Sequence, residues 1–398
     1  MTMMLVSCKI QHQIDEDTRL QYGAYHISAK YQYRIDSLIN DAIQRRAMPG
    51  CRIIAAIDRK VVIDKSYGYL DYDSIQPVND TTIYDLASVT KVAASSLALM
   101  AMYDDGKIKL DKPLSEYLAG ITDNGATLRD ALAHQAGFKP WIPLRTKLPE
   151  LSDMLLDTTR EYNAGQARQT IIPFIASQEL GGRGRYAYSD LGFYIYPEFV
   201  RKIYKVDFEN FLNTRFYFPL GVNPVFNPLK HHSINNIAPT ENDTIWRMRI
   251  VRGTVHDEGA ALMGGVSGHA GLFATAGDVA VIMQMILNRG EYGGRILLKP
   301  ETVDLFTSQA FPGNRRGLVF DKPVLDTALN GTPSPRASMR SFGHTGFTGS
   351  FVWADPDNNL LLIFLCNSTF PNRSSMLSRL NVRTQLHDIL YNSDLLEK

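Results

Sequence analysis

Two pairs of apolar runs, one near each end of the chain, constrain the fold more than any other feature of the sequence. Cys51 to Ile57 and Val61 to Tyr69 flank one short polar turn, and Phe351 to Ala354 and Leu360 to Cys366 flank another. Runs of this length around polar turns predict β-hairpins. The two hairpins can share one sheet only if the long chain between them leaves that sheet and returns to it.

Helical patterns surround these hairpins. From Tyr33 to Ala47 apolar residues recur at helical spacing, and a second amphipathic pattern covers about 376–391; both patterns are typical of helices that pack one face on a sheet. The chain between the hairpins is mostly helical in pattern. We therefore predict an α/β (α+β) fold, in which an antiparallel sheet is flanked by helices and carries an inserted helical lobe.

The same patterns suggest how the chain is divided. One folded unit is expected over 31–398, with a sheet lobe of about 31–85 and 310–398 and a helical lobe of about 86–309. Residues 1–30 are polar and aperiodic, which indicates a tail that is either disordered or of the lipoprotein type.

The start of the chain leaves two interpretations open. Leu5-Val6-Ser7-Cys8 resembles the lipidation signal of bacterial lipoproteins, but the residues before it do not form a complete signal peptide. If the true start lies upstream, Cys8 carries a lipid anchor and the protein belongs to the periplasm or cell envelope. If the match is chance, a cytoplasmic location stays open.

Charge and composition exclude several kinds of partner. The net charge is +1 and no long basic run occurs, so nucleic acid is not expected, because phosphate binding needs clustered Lys and Arg. The sequence contains no run of about 18 apolar residues, so no membrane span is expected. The histidines follow no metal-ligand spacing, so neither a metal nor another cofactor is expected. Nothing in the pattern sets an oligomeric state.

Ser88-Val89-Thr90-Lys91 opens the longest apolar helix pattern, Ala87 to Tyr103. Three residues along a helix bring Lys91 onto the same face as Ser88. A serine hydroxyl is a weak nucleophile until a base takes its proton, and a desolvated lysine amine can do so. Ser88 is therefore a candidate nucleophile, although Ser-x-x-Lys alone also arises by chance.

Two further motifs are weak when each is read alone. Tyr188-Ser189-Asp190 lies in an aromatic segment that would otherwise be interpreted as a packing loop. His344-Thr345-Gly346 leads into the last hairpin, where a histidine near glycines is more often structural. At such a strand edge, open backbone groups are available to a substrate.

In this order and spacing, the three motifs resemble those of the serine β-lactamase, DD-peptidase and esterase superfamily, of the class C type. That family has Ser-x-x-Lys, then Tyr-x-Asn, then Lys/His-Thr-Gly. The likeness runs from about 35 to 390 and looks most like a Bacteroides-type subgroup, some relatives of which carry this domain behind a glycosidase domain. Segments similar to the family's are Tyr84–Lys91, Asp105–Tyr117, Leu128–Gly137 and Gly268–Asp278.

The resemblance implies a β-lactamase/transpeptidase-like fold and assigns the roles of the site residues. Ser88 would form the acyl-enzyme, and Lys91 and Tyr188 would shuttle its proton. The backbone amides of Ser88 and Phe347 would form the oxyanion hole. The substrate-binding positions would be Asp190, His344, Thr345 and Gly346.

Two positions depart from the lactamase pattern. Asp190 stands where lactamases usually have Asn, and a carboxylate there favours the charged form of Lys91. We therefore hypothesise that Lys91 stays protonated and lowers the pKa of Tyr188, which makes Tyr188 the main base. His344 stands where lactamases usually have Lys, so a fixed cation is missing unless Arg315, Arg316 or Arg340 supplies it.

The sequence thus predicts a serine hydrolase that acts on an ester or amide of a small-molecule or peptide substrate. Esterase, DD-peptidase-like and β-lactamase-like activities stay open, and the missing lysine weighs against efficient β-lactam hydrolysis. The alternative from another class is a non-catalytic binding protein of the same fold.

Overall fold

The computed structural model describes residues 17–23, 25–323 and 333–396. Its strands are β1 (Gly50–Ile57), β2 (Lys60–Gly68), β3 (Tyr84–Asp85), β4 (Val225–Phe226), β5 (Glu241–Asp243), β6 (Arg249–Val251), β7 (Leu272–Ala274), β8 (Glu291–Tyr292), β9 (Arg295–Ile296), β10 (Phe342–Thr345), β11 (Phe351–Asp355) and β12 (Leu360–Cys366). Its helices are α1 (Ala29–Gln44), α2 (Ser96–Asp104), α3 (Leu128–Leu132), α4 (Leu144–Lys147), α5 (Pro149–Leu156), α6 (Ala164–Ala176), α7 (Tyr196–Tyr204), α8 (Phe208–Leu212), α9 (Phe218–Leu220), α10 (Glu258–Leu262), α11 (Ala276–Leu287), α12 (Pro300–Thr307), α13 (Met376–Arg379) and α14 (Val382–Ile389).

The two terminal hairpins form one antiparallel sheet, as the sequence predicts. Its strand order is β10-β11-β12-β1-β2. The first and last hairpins meet where β1 pairs with β12, with Cys51 opposite Cys366 and Ile57 opposite Leu360. Strand β10 lies at one edge, and this edge carries the His344-Thr345-Gly346 motif towards the helical lobe.

Both faces of the sheet are buried, which explains why the central strands are almost continuously apolar. In β12, Leu362 and Phe364 pack against the outer layer formed by α1 and α14, whereas Leu361 and Ile363 face the helical lobe. Successive side chains point to opposite faces of a strand, so one run of residues supplies two cores. Helix α1 contributes Ile35 and Ile39 to the outer core, as its periodicity predicts.

The structure differs from the sequence predictions at several boundaries. Helix α1 begins at Ala29, and Gln21 already pairs with Lys60, so the predicted tail over 1–30 extends too far into ordered chain. The predicted C-terminal helix is divided into α13 and α14 at Asn381, whose φ of 51° is left-handed and cannot continue a helix. Cys8 lies outside the described residues. Within the described ranges, no helix has the length and apolar character needed to cross a bilayer.

Candidate active site

Ser88 is placed at the surface by an otherwise buried segment. Between Thr82 and Met102 every residue is buried except Ser88. Strand β3 leads into the turn that precedes the serine, and a π-helical turn from Lys91 to Ser95 then continues into α2. Ala87 adopts a φ of +45°, a conformation that costs free energy for a residue other than glycine. The sequence therefore fixes Ser88 on a rigid, tightly turned support.

The three residues predicted to handle the serine proton lie together. Lys91 Nζ is 2.9 Å from Ser88 Oγ, and Tyr188 Oη is 3.0 Å from the same oxygen. The ammonium also donates to the carbonyl of His269 at 3.2 Å and lies 2.7 Å from Asp190 Oδ1. All three protons of Lys91 therefore have an acceptor, although its side chain is completely buried.

The electrostatics of this cluster favour protonated groups. Burial lowers the pKa of Lys91, but the Asp190 carboxylate and the Tyr188 phenol outweigh it, so the pKa of Lys91 lies above its ordinary value. Burial and Asp190 raise the pKa of Tyr188, and Lys91 and Arg316 oppose that shift only in part. The hypothesis that Lys91 stays protonated agrees with these shifts. The expectation of a lowered Tyr188 pKa is wrong, because burial of the phenol and the charge of Asp190 together outweigh the lowering by Lys91.

His344 is a neutral hydrogen-bonding residue. Burial, together with Arg316 and Lys91, lowers its pKa to about 3. Arg316 Nη1 lies 3.1 Å from His344 Nε2 and can only donate, so Nε2 is the acceptor of this ring. The other nitrogen, Nδ1, then carries the proton and donates to the Thr345 carbonyl at 2.7 Å. His344 therefore cannot supply the fixed cation of the lactamase pattern.

Two arginines on the neighbouring loop, Arg315 and Arg316, carry positive charge close to His344. Arg316 is buried and lies 3.0 Å from Asp321, and its guanidinium carbon is 5.0 Å from the centre of the Tyr188 ring. Arg315 contacts the same carboxylate at 3.5 Å and keeps 29% of its side chain exposed. Two guanidinium groups thus share one carboxylate, which leaves a net positive charge beside His344. Arg340 pairs with Asp357 on the surface and is not among the residues that line the cavity.

A cavity of about 600 Å³ opens in front of Ser88. Its wall includes the predicted residues Tyr188, His344, Thr345, Gly346 and Phe347. The rest of the wall is rich in hydroxyl and guanidinium groups, which are contributed by Ser368, Thr369, Ser374, Ser375, Ser378, Arg315, Arg316, Arg373 and Arg383. Trp141 is 58% exposed and does not line this cavity.

The end of β10 lies close against the nucleophile turn. A Cβ at Gly346 would come within 2.7 Å of the Leu86 carbonyl, so only glycine permits this approach. Phe347 follows directly, and its side chain is 61% exposed at the cavity mouth. The structure therefore brings the chain at 347 and the chain at Ser88 to the same cavity, as the predicted oxyanion hole requires.

Two histidines outside the motifs pair with carboxylates. His256 Nε2 lies 2.8 Å from Glu241, and His269 Nε2 lies 2.8 Å from Asp257. Among the described residues, no group of three or more potential ligands is arranged to hold a metal ion. Asp85 was not among the residues predicted from the sequence, where its only signal was its position three residues before Ser88; its buried carboxylate accepts the backbone amide of His256 at 2.7 Å.

Known structures share this fold. A penicillin-binding protein homologue from Caulobacter crescentus superposes with a TM-score of 0.68 at 20% identity, over 92% of this chain and 98% of that chain. EstCE1, described as a hydrolase with promiscuous acyltransferase activity, also gives a TM-score of 0.68, at 19% identity over 91% of this chain and 98% of that chain. At these identities the likeness establishes the fold, a mixed helix and antiparallel sheet architecture.

Sequence matches show the family as well as the fold. Residues 35–386 match the family described as "Beta-lactamase". A Salmonella gallinarum protein named "Putative D-alanyl-D-alanine carboxypeptidase" is 32% identical over 372 residues, which cover 84% of this chain and 82% of that protein. Fold and matches together define a serine hydrolase that works through an acyl-enzyme. More specifically, the chain belongs to the Beta-lactamase family.

Proposed function

We propose that the protein is a serine carboxypeptidase of the cell envelope that cleaves peptides ending in D-alanine, with Ser88 as the nucleophile. The observation that carries the serine assignment is the convergence of Lys91 Nζ and Tyr188 Oη on Ser88 Oγ, at 2.9 and 3.0 Å. A hydroxyl flanked by two proton-handling groups is the arrangement that nucleophilic catalysis needs. The partial exposure of Ser88 leaves it accessible to a substrate.

The proton of Ser88 needs an acceptor when the oxygen attacks the substrate carbonyl. In the resting site Lys91 is an ammonium and Tyr188 a phenol, as their raised pKa values require. Activity belongs to the form in which the cluster has lost one proton to solvent and Lys91 is a neutral amine, and this amine, 2.9 Å from Ser88 Oγ, accepts the proton of Ser88. Tyr188 then donates its own proton to the departing amine, and the lysine returns a proton to Tyr188. In the second half of the reaction, water takes the place of the departed amine and attacks the acyl-enzyme, and the proton transfers run in the opposite direction.

The developing oxyanion would be held by the backbone amides of Ser88 and Phe347. Both residues line the cavity, and the approach of Gly346 to Leu86 keeps their segments adjacent. Preorganised donors of this kind contribute about 3 kcal/mol each to transition-state stabilisation.

The substrate class follows from the charge and polarity of the cavity. Arg315 is partly exposed and shares its carboxylate partner with Arg316, so the pair can attract the terminal carboxylate of a peptide. The hydroxyl-rich wall favours a polar peptide over a lipid ester. The name of the Salmonella gallinarum relative supports the same class. We further propose a periplasmic or envelope location, with Cys8 as a lipid anchor if the chain is exported.

A matched pair of peptides tests this substrate class. An acylated peptide ending in D-Ala-D-Ala and the same peptide with a C-terminal amide differ only in the terminal charge. The wild-type protein should release D-alanine from the first peptide and should cleave the second much more slowly. A charge-assisted hydrogen bond is worth about 1.5–3 kcal/mol, so we expect a difference of roughly 10- to 150-fold in kcat/KM.

Two arginine variants give the control. Arg315→Gln should remove most of the preference for the free carboxylate, whereas Arg340→Gln, outside the cavity, should leave it intact. Equal cleavage of both peptides would reject the carboxylate site. Turnover of esters alone, lost in Ser88→Ala, would keep the serine mechanism and reject the peptide substrate. No acylation with any reagent would favour a binding protein of this fold.

A further inference from the structure

Asp85 connects three separate segments around the active site. It lies in β3, three residues before Ser88, and is buried with 2% exposure. Its carboxylate accepts the backbone amide of Ala87 on Oδ1 at 2.9 Å and the backbone amide of His256 on Oδ2 at 2.7 Å. Its own carbonyl accepts the hydroxyl of Thr348 at 2.9 Å.

Two of these three bonds fix a chain neighbour of a proposed oxyanion donor. Ala87 precedes Ser88, and its left-handed φ of +45° sets the direction of the following amide. Thr348 follows Phe347, and its side chain is completely buried. Asp85 therefore bonds to the residue before the Ser88 donor and to the residue after the Phe347 donor.

The His256 segment adds a second link to the same place. The His256 ring stacks on the Phe347 ring, with centroids 5.6 Å apart and planes 23° apart. The Nε2 atom of the His256 ring lies 2.8 Å from the carboxylate of Glu241, which accepts its hydrogen bond. By fixing the His256 backbone, Asp85 also fixes the ring against which Phe347 packs.

We propose that Asp85 is a positioning residue that holds the amides of Ser88 and Phe347 in register as one oxyanion hole. This inference rests on the proposed function of those two amides. Asp85 does not touch the reacting atoms, and its effect is on the geometry of the transition state. Misplacement of catalytic groups by about 1 Å costs on the order of 100-fold in rate.

The substitution Asp85→Asn tests the carboxylate with little change in volume. Both carboxylate oxygens accept an amide N–H, and an asparagine side chain offers one oxygen and one NH₂ group. In the variant, the NH₂ group therefore faces one of the two backbone N–H groups, and that hydrogen bond is lost. We expect kcat/KM for a p-nitrophenyl ester to fall about 10- to 100-fold, with a much smaller change in KM.

The control is Asp278→Asn. Asp278 also bridges two segments by accepting a backbone amide on each oxygen, from Asn223 at 3.0 Å and Thr275 at 3.1 Å, but it does not line the cavity of Ser88. This variant should lower thermal stability as much as Asp85→Asn does and should keep near-normal kcat/KM. A structural role alone would make the two variants behave alike.

Binding of a boronic acid measures the oxyanion hole directly, because the tetrahedral boronate formed on a serine resembles the intermediate. Asp85→Asn should weaken this binding by the same factor as kcat/KM. Thr348→Val deletes only the hydroxyl that donates to the Asp85 carbonyl. It should lower boronate affinity and kcat/KM by a smaller factor. This variant replaces Asp85→Asn in the test if Asp85→Asn does not fold.

The outcomes separate this inference from the proposed function. If wild-type turnover is lost in Ser88→Ala but Asp85→Asn and Thr348→Val keep boronate affinity and kcat/KM within twofold, the positioning role is rejected and the serine mechanism stands. If wild-type protein shows neither turnover nor boronate adduct, the proposed function itself fails.

Discussion

Replacing Asp190 with asparagine is the most informative single change to the proton-handling cluster. The Lys91 Nζ to Asp190 Oδ1 distance of 2.7 Å corresponds to about 6 kcal/mol of attraction between unit charges at an effective dielectric constant of about 20. Asparagine keeps an oxygen near Lys91 and removes the charge. Because breaking one side of a buried ion pair costs about 3–5 kcal/mol, we expect a loss of roughly that size or somewhat less in unfolding free energy at pH 7.

The sign of the pH effect follows from the same contact. Asp190 raises the pKa of Lys91 and also that of Tyr188. Activity needs one of these groups to give up a proton, so the raised values place the acidic limb of the pH–rate profile at high pH. Without the carboxylate both pKa values fall, and the limb moves to lower pH whichever group is the base.

The assay is kcat/KM for a p-nitrophenyl ester measured between pH 5 and 10 and read at a wavelength where product absorbance does not depend on pH. Wild type and Asp190→Asn are compared after their thermal stabilities have been recorded. An acidic limb that stays in place, or that moves to higher pH in the variant, would refute the argument that Asp190 sets the protonation of this cluster.

Two further predictions follow from the structure. Tyr188→Phe should lower kcat/KM by about 10²- to 10⁴-fold, because the Tyr188 hydroxyl donates to Ser88 Oγ. Tyr186→Phe should have a much smaller effect, because the Tyr186 hydroxyl accepts from Arg316 instead; equal losses in the two variants would contradict the role of Tyr188. His344 and His387 are buried with pKa values lowered to about 3, below the value of about 6.5 in an unfolded chain. Their contribution to stability is therefore present at neutral pH and is lost as the pH falls from about 6.5 towards 3, at about 1.4 kcal/mol per pH unit for each histidine. Chemical unfolding should give a lower unfolding free energy at pH 5 than at pH 7. In His387→Gln the difference between the two pH values should be smaller by the contribution of one histidine. A difference equal to that of the wild type would contradict the role of His387.

Much of the site could be predicted from the sequence because its motifs are local. Ser88 and Lys91 lie one helical turn apart, so their contact follows from helix geometry alone. The family resemblance added Tyr188 and the His344-Thr345-Gly346 motif, but not the separate strand β10 that carries this motif. The two hairpins were predicted from apolar runs that flank short polar turns, and their union into one sheet was confirmed.

What the sequence did not reveal depends on contacts between distant residues. Asp85 meets His256 across 171 positions and Thr348 across 263, and no periodicity or motif encodes such pairs. The Tyr188 pKa was wrongly expected to be lowered, because burial of the phenol and its exposure to the Asp190 charge appear only in three dimensions. Arg316 was named as one of three candidate cations, but only the fold shows that it hydrogen-bonds to His344.

The central claim is that Ser88 forms a covalent acyl-enzyme. Intact-mass spectrometry after incubation with penicillin and, separately, with a p-nitrophenyl ester tests it most directly, with Ser88→Ala as the comparison. The account predicts an adduct on the wild-type protein with at least one reagent, or ester turnover, and neither in the variant. An adduct or turnover that persists in Ser88→Ala, or a wild-type protein that reacts with neither reagent, would contradict it.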